Sequence, residues 1–140
     1  MFYLNIYLMS TKSNILTAFN DHFIEFIDDI ISIFPDDLDI LSSKNSMLLV
    51  RKSNPRLIVY IWTSYVVDKY KDKIDAGNVD FFINKDYSDD LAYSSNTLKI
   101  VEVIDRIRKP VKMMNAEDQA KTVKYVQNLT KLSTMYNEIV

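Results

Sequence analysis

The chain contains no cysteine and only one glycine among its 140 residues. Without cysteine there is no disulfide, no thiolate zinc site and no cysteine nucleophile. Phosphate-binding loops need several glycines where the backbone approaches the ligand, so the single glycine excludes Gly-x-Gly-x-x-Gly and Walker A motifs. Tight β-hairpins depend on Gly or Asn at positive φ, which argues against a many-stranded β fold.

The net charge is also small, and the sequence contains no long apolar run. The 17 Lys and Arg residues against 19 Asp and Glu residues give a net charge of −2, which provides no overall attraction to nucleic acid. The apolar run at residues 1–9 is too short to cross a bilayer. Hydrophobic residues make up 48% of the chain and charged residues 26%, which is typical of a folded globular domain. We therefore expect one folded domain with no membrane span.

The first residues are predicted as an N-terminal arm, residues 1–12, ahead of a single helical domain at residues 13–140. The apolar run lacks the basic segment and the small-residue cleavage site of a signal peptide. Met9 is followed by a polar Ser-Thr-Lys-Ser segment. One interpretation is that Met9 is the natural start and residues 1–8 are an annotation extension. The alternative is a short N-terminal strand or an arm that docks a partner.

Apolar residues at spacings of three and four predict an all-α fold, a compact bundle of four to six helices. The first helix is expected at residues 14–34, capped by Ser13 and ended by Pro35. Phe19, Phe23 and Phe26 share its core face. Further helices are expected at residues 38–52, 54–76, 97–108 and 116–137, with short helical pieces at 79–84 and near Leu91.

The predicted core faces follow the same spacing. In the second helix, which Asp36 or Asp37 caps, the inward face is Leu38, Leu41 and Leu48, with Val50 as a further candidate. In the last helix, which Asn115 caps, the inward residues are Ala120, Val123, Leu129, Leu132 and Tyr136.

The third helix has the clearest ends. Asn54 and Pro55 form a cap followed by proline in the first turn, and Gly77 suits the left-handed residue that closes a helix. The run at residues 57–62 is almost entirely apolar, which predicts a buried central helix. We expect the N–H of Trp62 to be hydrogen-bonded there.

Charges are segregated along the chain. Asp21, Glu25 and Asp28 share one face of the first helix, opposite its aromatic face. Basic residues follow, and a candidate interaction surface combines the two kinds: Asp21, Glu25, Asp28, Arg51, Lys52 and Arg56. A second basic group consists of Arg106, Arg108, Lys109 and Lys112. The alternative to an interaction surface is ordinary solvated charge.

No catalytic, metal-binding or cofactor-binding residue is predicted, and no cofactor. His22 aligns with Glu25 and Asp29, but its order is the reverse of the Glu-x-x-His di-iron motif and there is no second histidine. A His-Glu-x-x-His zinc site is therefore impossible, and His22 is expected at the surface or in a hydrogen bond. The adjacent Phe81 and Phe82 are expected in the core, with one of them as an alternative partner contact.

Several short segments have a familiar pattern: Phe19-Asn20-Asp21-His22-Phe23, Glu25-Phe26, Asp28-Asp29-Ile30, Phe34-Pro35-Asp36-Asp37, Arg51-Lys52-Ser53-Asn54-Pro55, Asp80-Phe81-Phe82 and Lys85-Asp86-Tyr87. Together they resemble a group of short uncharacterised helical proteins encoded by nucleocytoplasmic large DNA viruses, including viruses of algae and amoebae. The resemblance covers roughly residues 15–91. It implies a viral origin and carries no site residues or activity with it.

These observations predict a non-enzymatic viral protein that acts through protein–protein interaction or as a minor virion structural protein. The expected partner is a viral protein or a second copy of the chain, and the expected location is the virion or the cytoplasm of the infected host cell. The alternative is an accessory nucleic-acid-binding factor in viral replication or transcription, which needs the basic groups to converge on one face. A third hypothesis, a small enzyme that uses carboxylates alone, needs Asp and Glu residues gathered in a pocket.

Overall fold

The computed structural model describes residues 2–78, 80 and 95–139, and their side chains from residue 11 onward except at 95 and 96. Every regular element in these residues is helical, which confirms the predicted all-α bundle. No helix within them combines the length and apolar character that a membrane crossing requires. The α-helices are α1 (Phe2–Ile33), α2 (Leu38–Ser53), α3 (Leu57–Trp62), α4 (Asp68–Asp75), α5 (Ser95–Arg108) and α6 (Ala116–Glu138).

Helix α1 begins well before the predicted start. Residues 2–13 contain neither Gly nor Pro, so nothing in them breaks a helix, and α1 runs through Ser13 without interruption. Ser13 is therefore not a cap; its carbonyl accepts a hydrogen bond from the Thr17 hydroxyl at 3.1 Å. The predicted start at Asn14 is wrong, as is a short strand in the arm. The proposed start of the natural chain at Met9 stays a prediction.

The helix at residues 57–62 is confirmed, and Ile58, Val59, Ile61 and Trp62 are buried in it, although Tyr60 is 66% exposed. It continues into α4 through a π-helical turn, Thr63–Val67. Its start differs from the prediction. Asn54 ends α2 by donating its backbone N–H to the Val50 carbonyl at 2.7 Å, and α3 begins only at Leu57. A second irregularity is Tyr70, whose φ of −133° bends α4.

Gly77 closes this helix as predicted. Its φ is +73°, and its N–H donates to the Ile74 carbonyl at 2.9 Å, while the N–H of Asn78 donates to the Lys73 carbonyl at 2.9 Å. This pair of bonds is the Schellman arrangement, which satisfies two carbonyls at the helix end. The Gln127 side chain of α6 donates to the same Ile74 carbonyl at 3.0 Å, so the end of α4 is held against α6.

The long helices pack as antiparallel neighbours. Lys12 near the start of α1 donates to the Ile139 carbonyl beyond the end of α6 at 2.8 Å. Helix α6 also runs along the central helix, where the Trp62 Nε1 donates to the Thr130 hydroxyl at 3.4 Å, as predicted for this indole. The Phe23 ring meets Trp62 edge-on at 5.8 Å between centroids, and both side chains are fully buried.

The predicted inward face of α6 is confirmed at Leu129, which is fully buried, and at Leu132 and Tyr136, which are partly buried and pack against the core. It is wrong at Ala120, which is exposed, and Val123 is only partly buried. The buried residues of α6 are Thr122, Val126, Leu129, Thr130 and Ser133. The buried hydroxyls donate to carbonyls of their own helix, such as Thr130 to Val126 at 2.8 Å, so their burial leaves no donor unsatisfied.

Helix α6 begins and helix α5 ends close to the predicted residues. Asn115 caps α6 by accepting the N–H of Asp118 at 2.8 Å. Helix α5 ends at Arg108 and tightens into a 3-10 turn, Lys109–Met113, that contains Pro110. The short helix predicted at residues 79–84, the piece near Leu91 and the pair Phe81 and Phe82 lie outside the described residues, apart from Asp80.

Candidate interaction surface

Helix α2 carries apolar side chains on two opposite faces. The face toward the core consists of Ile40, Ser43, Met47 and Val50. Ser43 is buried without an unsatisfied donor, because its hydroxyl donates to the Asp39 carbonyl at 2.7 Å. The predicted inward leucines are on the other face: 76% of Leu38 and 42% of Leu48 is exposed, and Leu41 is partly buried. The predicted inward face of α2 is therefore wrong for its leucines, whereas the burial of Val50 is confirmed.

The outward face of α2 is an unusual surface for a folded domain. Leu49, which follows Leu48, is 69% exposed. Taking the exposed and partly buried residues that share this face, we define the α2 outer strip as Leu38, Leu41, Ser42, Asn45, Leu48, Leu49 and Lys52. Single exposed leucines are common, but this face carries three exposed leucines, Leu38, Leu48 and Leu49, beside the partly buried Leu41. Exposed apolar side chains grouped on one face are typical of an interaction site.

The acidic residues of the predicted surface lie on α1 beside α2, where two of them form ion pairs. Asp21 accepts from Arg51 Nη2 at 2.6 Å, and Asp28 pairs with Lys44 Nζ at 2.7 Å. The two pairings, 21 with 51 and 28 with 44, show that α1 and α2 are antiparallel neighbours. They also mean that acidic and basic residues of the predicted surface partly neutralise each other within one chain.

The other predicted residues do not join one cluster. Glu25 accepts a hydrogen bond at 3.0 Å from the neighbouring His22 Nδ1, on the side of α1 that faces α6. Lys52 is exposed at the end of α2 and belongs to the outer strip. Arg56 is exposed before α3 and lines an open groove with Lys12 and Tyr136. The structure thus pairs Asp21 with Arg51 and Asp28 with Lys44 along the contact between α1 and α2, and it does not bring Glu25, Lys52 and Arg56 into this cluster.

The second basic group lies at the end of α5, where an acidic residue accompanies it. Arg108 Nε donates to Asp105 Oδ1 at 2.8 Å, and Lys109 Nζ lies 3.3 Å from Asp105 Oδ2. Two of its four cations therefore share one carboxylate, which lowers the positive charge that this end of α5 presents.

An open groove between α1 and α6 lies beside the acidic face of α1. It has a volume of about 520 Å³ and is lined by His22, Asp29, Glu117, Lys121 and Tyr125, among others. The His22 ring lies 4.9 Å from the Tyr125 ring, and Tyr125 stacks on Phe26 at 5.1 Å between centroids. Among the described residues, nothing lies within hydrogen-bond distance of His22 Nε2, which is buried. Sequence reasoning missed this groove because Tyr125 comes from a distant helix.

Burial and negative charge act together on the phenol of Tyr125. Burial raises its pKa, and the carboxylates of Asp29, Glu25 and Asp28 raise it further, because the phenolate would be desolvated and repelled. Tyr125 therefore stays protonated at neutral pH beside the Asp29 carboxylate. A neutral tyrosine beside a carboxylate is suited to hold α1 against α6.

The described side chains do not gather the groups that metal chemistry needs. No set of three or more His, Asp or Glu residues among them is placed to hold a metal ion. Comparison of the chain with protein-family models, curated proteins and solved structures finds no match. The functional interpretation therefore rests on the surface itself, and the feature that stands out is the α2 outer strip.

Proposed function

We propose that this is a non-enzymatic interaction protein that binds another protein through the α2 outer strip, and that it is a minor structural component of a viral particle. The exposed leucines support the interaction. Leu38, Leu48 and Leu49 are exposed on α2, whose opposite face packs in the core. Burying each exposed leucine against a partner would contribute about 1.5–3 kcal/mol at most.

The surroundings of the strip favour a protein partner over nucleic acid. Lys44 and Arg51, which flank it, are paired with Asp28 and Asp21. Phosphate contacts need cations that are available to replace counterions. A nucleic-acid-binding role therefore remains the second candidate, and a binding measurement at low and high salt tests it: no binding at low salt rules it out.

The interaction is tested by placing a photo-crosslinking amino acid at Leu49 in cells that make the protein. The same amino acid at Lys124, an exposed residue on α6, is the matched control. We expect a discrete protein adduct at Leu49 and none at Lys124. Mass spectrometry identifies the protein in the adduct, which is then purified. It should bind the Leu38→Glu variant at least tenfold more weakly than it binds the unsubstituted chain. The photo-crosslinking amino acid is also placed at Leu38. If neither Leu49 nor Leu38 gives an adduct, the proposed interaction is refuted.

The viral part of the proposal is supported by the resemblance across residues 15–91 and has its own test. Mass spectrometry of particles purified from cells infected with the encoding virus should detect the chain. If it is missing from particles in which other minor components are detected, the structural version of the proposal is wrong.

A further inference from the structure

Two neighbouring grooves meet at Arg56 and Tyr136. The smaller one has a volume of about 210 Å³ and lies between α1 and the end of α6, where Lys12, Ser13 and Leu16 complete its lining. The larger one has a volume of about 480 Å³ and runs along the outer side of α3 and the π-helical turn. Because the two share Arg56 and Tyr136, they form one site with two halves, which we call the Arg56 groove. Its size is that of a small-molecule site, roughly 300–1,000 Å³.

The smaller half is positively charged. Its lining contains Lys12 and Arg56 and no Asp or Glu residue. Neutral groups hold Lys12 in place, since its Nζ donates to the Ile139 carbonyl at 2.8 Å and lies 4.5 Å from the centroid of the Tyr136 ring. Arg56 is exposed and forms no ion pair with the described part of the chain. Two positive charges that no lining carboxylate neutralises attract an anion to this half.

The donors in the smaller half match a phosphate monoester better than a carboxylate. A phosphate monoester carries a charge of about −1.5 to −2 at pH 7 and three acceptor oxygens. The guanidinium of Arg56 is suited to two parallel hydrogen bonds with such a group, and Lys12 supplies a second charge. Ser13 and Tyr136 add hydroxyl donors to the same lining. A carboxylate has one charge and two oxygens, so it would leave part of this set unused.

The larger half offers a surface for a flat organic group. Tyr60 is 66% exposed and lines this half together with Tyr136. An exposed aromatic ring is a platform for a nucleobase, because every base has a face that can stack. Asp68 lines the same half, where its carboxylate can accept hydrogen bonds from ribose hydroxyls.

The spacing of the two halves fits one nucleotide. The backbone N–H of Tyr60 donates to the Arg56 carbonyl at 3.3 Å, so the two residues lie one helical turn apart. Four residues of helix span about 6 Å. This is of the order of the distance between the phosphate and the base of a nucleotide.

The π-helical turn forms part of the groove. Its first two residues, Thr63 and Ser64, line the larger half. The hydroxyl of Thr63 accepts a hydrogen bond from Asn137 Nδ2 at 2.9 Å, which holds the end of α6 against the turn and fixes both walls of this half. Single π-helical turns are rare and frequently occur at functional sites. The position of this turn is therefore an observation, independent of the charges, that favours a binding site here.

We infer that the Arg56 groove binds a nucleoside monophosphate, either free or as the terminal nucleotide of a single strand. The phosphate lies between Lys12 and Arg56, and the base stacks on Tyr60. No residue of the α2 outer strip lines this groove, so the nucleotide is a second ligand and not the protein partner proposed above.

Calorimetric titration of the full chain with adenosine 5′-monophosphate at about 50 mM salt tests the inference. We expect a Kd on the order of 100 μM. Adenosine and inorganic phosphate should each bind at least tenfold more weakly, because each occupies only one half of the groove.

Three variants assign the binding to the groove. Arg56→Gln should weaken the binding of adenosine 5′-monophosphate at least tenfold. Tyr60→Ala should weaken it at least fivefold and leave the weak binding of inorganic phosphate unchanged. Lys99→Gln removes the same charge as Arg56→Gln at an exposed position on α5 and should bind like the unsubstituted chain. Arg56 and Tyr60 are exposed, so the urea midpoint followed by Trp62 fluorescence should not change in either variant.

A single-stranded oligonucleotide with a 5′-phosphate distinguishes the two sources of the nucleotide. Tighter binding than that of adenosine 5′-monophosphate, lost in Arg56→Gln, supports a strand end as the ligand, and equal or weaker binding supports the free nucleotide.

Three results overturn the inference. The first is a Kd above about 5 mM for adenosine 5′-monophosphate and for the oligonucleotide. The second is an equal loss in Arg56→Gln and Lys99→Gln, which marks attraction to positive charge in general. The third is equal affinity for adenosine 5′-monophosphate and inorganic phosphate, which removes the base from the site. Each of them leaves the proposed interaction through α2 intact.

Discussion

Replacing Gly77 with alanine isolates the energetic contribution of one backbone conformation. Gly77 has a φ of +73°, and a Cβ added there would lie 3.8 Å from Gln127 Nε2 and 3.9 Å from Val123 Cγ1, which is ordinary van der Waals contact. The substitution therefore causes no clash. Its cost is the left-handed conformation, about 1–2 kcal/mol for a residue with a Cβ, offset by about 0.4–1 kcal/mol because alanine restricts the unfolded chain.

The expected net effect is a loss of about 1 kcal/mol in the free energy of unfolding. With a urea dependence of about 2 kcal/mol per molar, the midpoint should fall by about 0.5 M. Trp62 is the only tryptophan and is fully buried, so its fluorescence follows the transition directly. Gly77→Asn is the control, since asparagine tolerates this conformation better and should lose less. An unchanged or higher midpoint for Gly77→Ala would show that the left-handed closure of the helix contributes nothing.

Three further changes test other parts of the structure. Phe23→Ala removes a fully buried ring and should lower the free energy of unfolding by about 3–5 kcal/mol in urea denaturation; a loss below about 1 kcal/mol would contradict its place in the core. Arg51→Ala should cost less than about 1 kcal/mol in the same assay, because its partner Asp21 is mostly exposed and screened by solvent. The raised pKa of Tyr125 means that its contribution to stability is complete below the unfolded-state pKa and is lost as the pH rises through the folded-state pKa. The ultraviolet titration of the Tyr125 phenol is obtained as the difference between the chain and its Tyr125→Phe variant. Asp29→Asn should move this titration to lower pH, and no movement would show that the Asp29 carboxylate does not raise the pKa of Tyr125.

The helices were predictable where local chemistry determines them. Gly77 and Asn115 end and begin helices through bonds to residues within five positions, and both predictions are confirmed. The start of α1 was not predictable in this way, because residues 2–13 contain no strong signal for or against a helix. The π-helical turn Thr63–Val67 also has no signature in the sequence.

The surface was harder to predict than the fold. Periodicity shows that α2 has an apolar face, but α2 has two, and Leu38, Leu41 and Leu48 fit an inward face as well as Ile40 and Met47 do. The choice between them depends on how α1 and α5 pack, which is a tertiary property. The pairing of Arg51 with Asp21 likewise depends on two helices lying antiparallel at one register.

The π-helical turn makes the central helix respond unequally to changes in chain length. A π turn holds one more residue than the α-helical turn it replaces. Deleting one residue within Thr63–Val67 would therefore restore a regular turn and leave the residues after it in nearly their present orientation. Deleting one residue from the regular helical part before it would instead rotate everything after it by about 100°, the angle between successive residues. Ile74 would then leave the core and its carbonyl would turn away from Gln127. A single deletion should accordingly be tolerated better within the π-helical turn than in Leu57–Trp62.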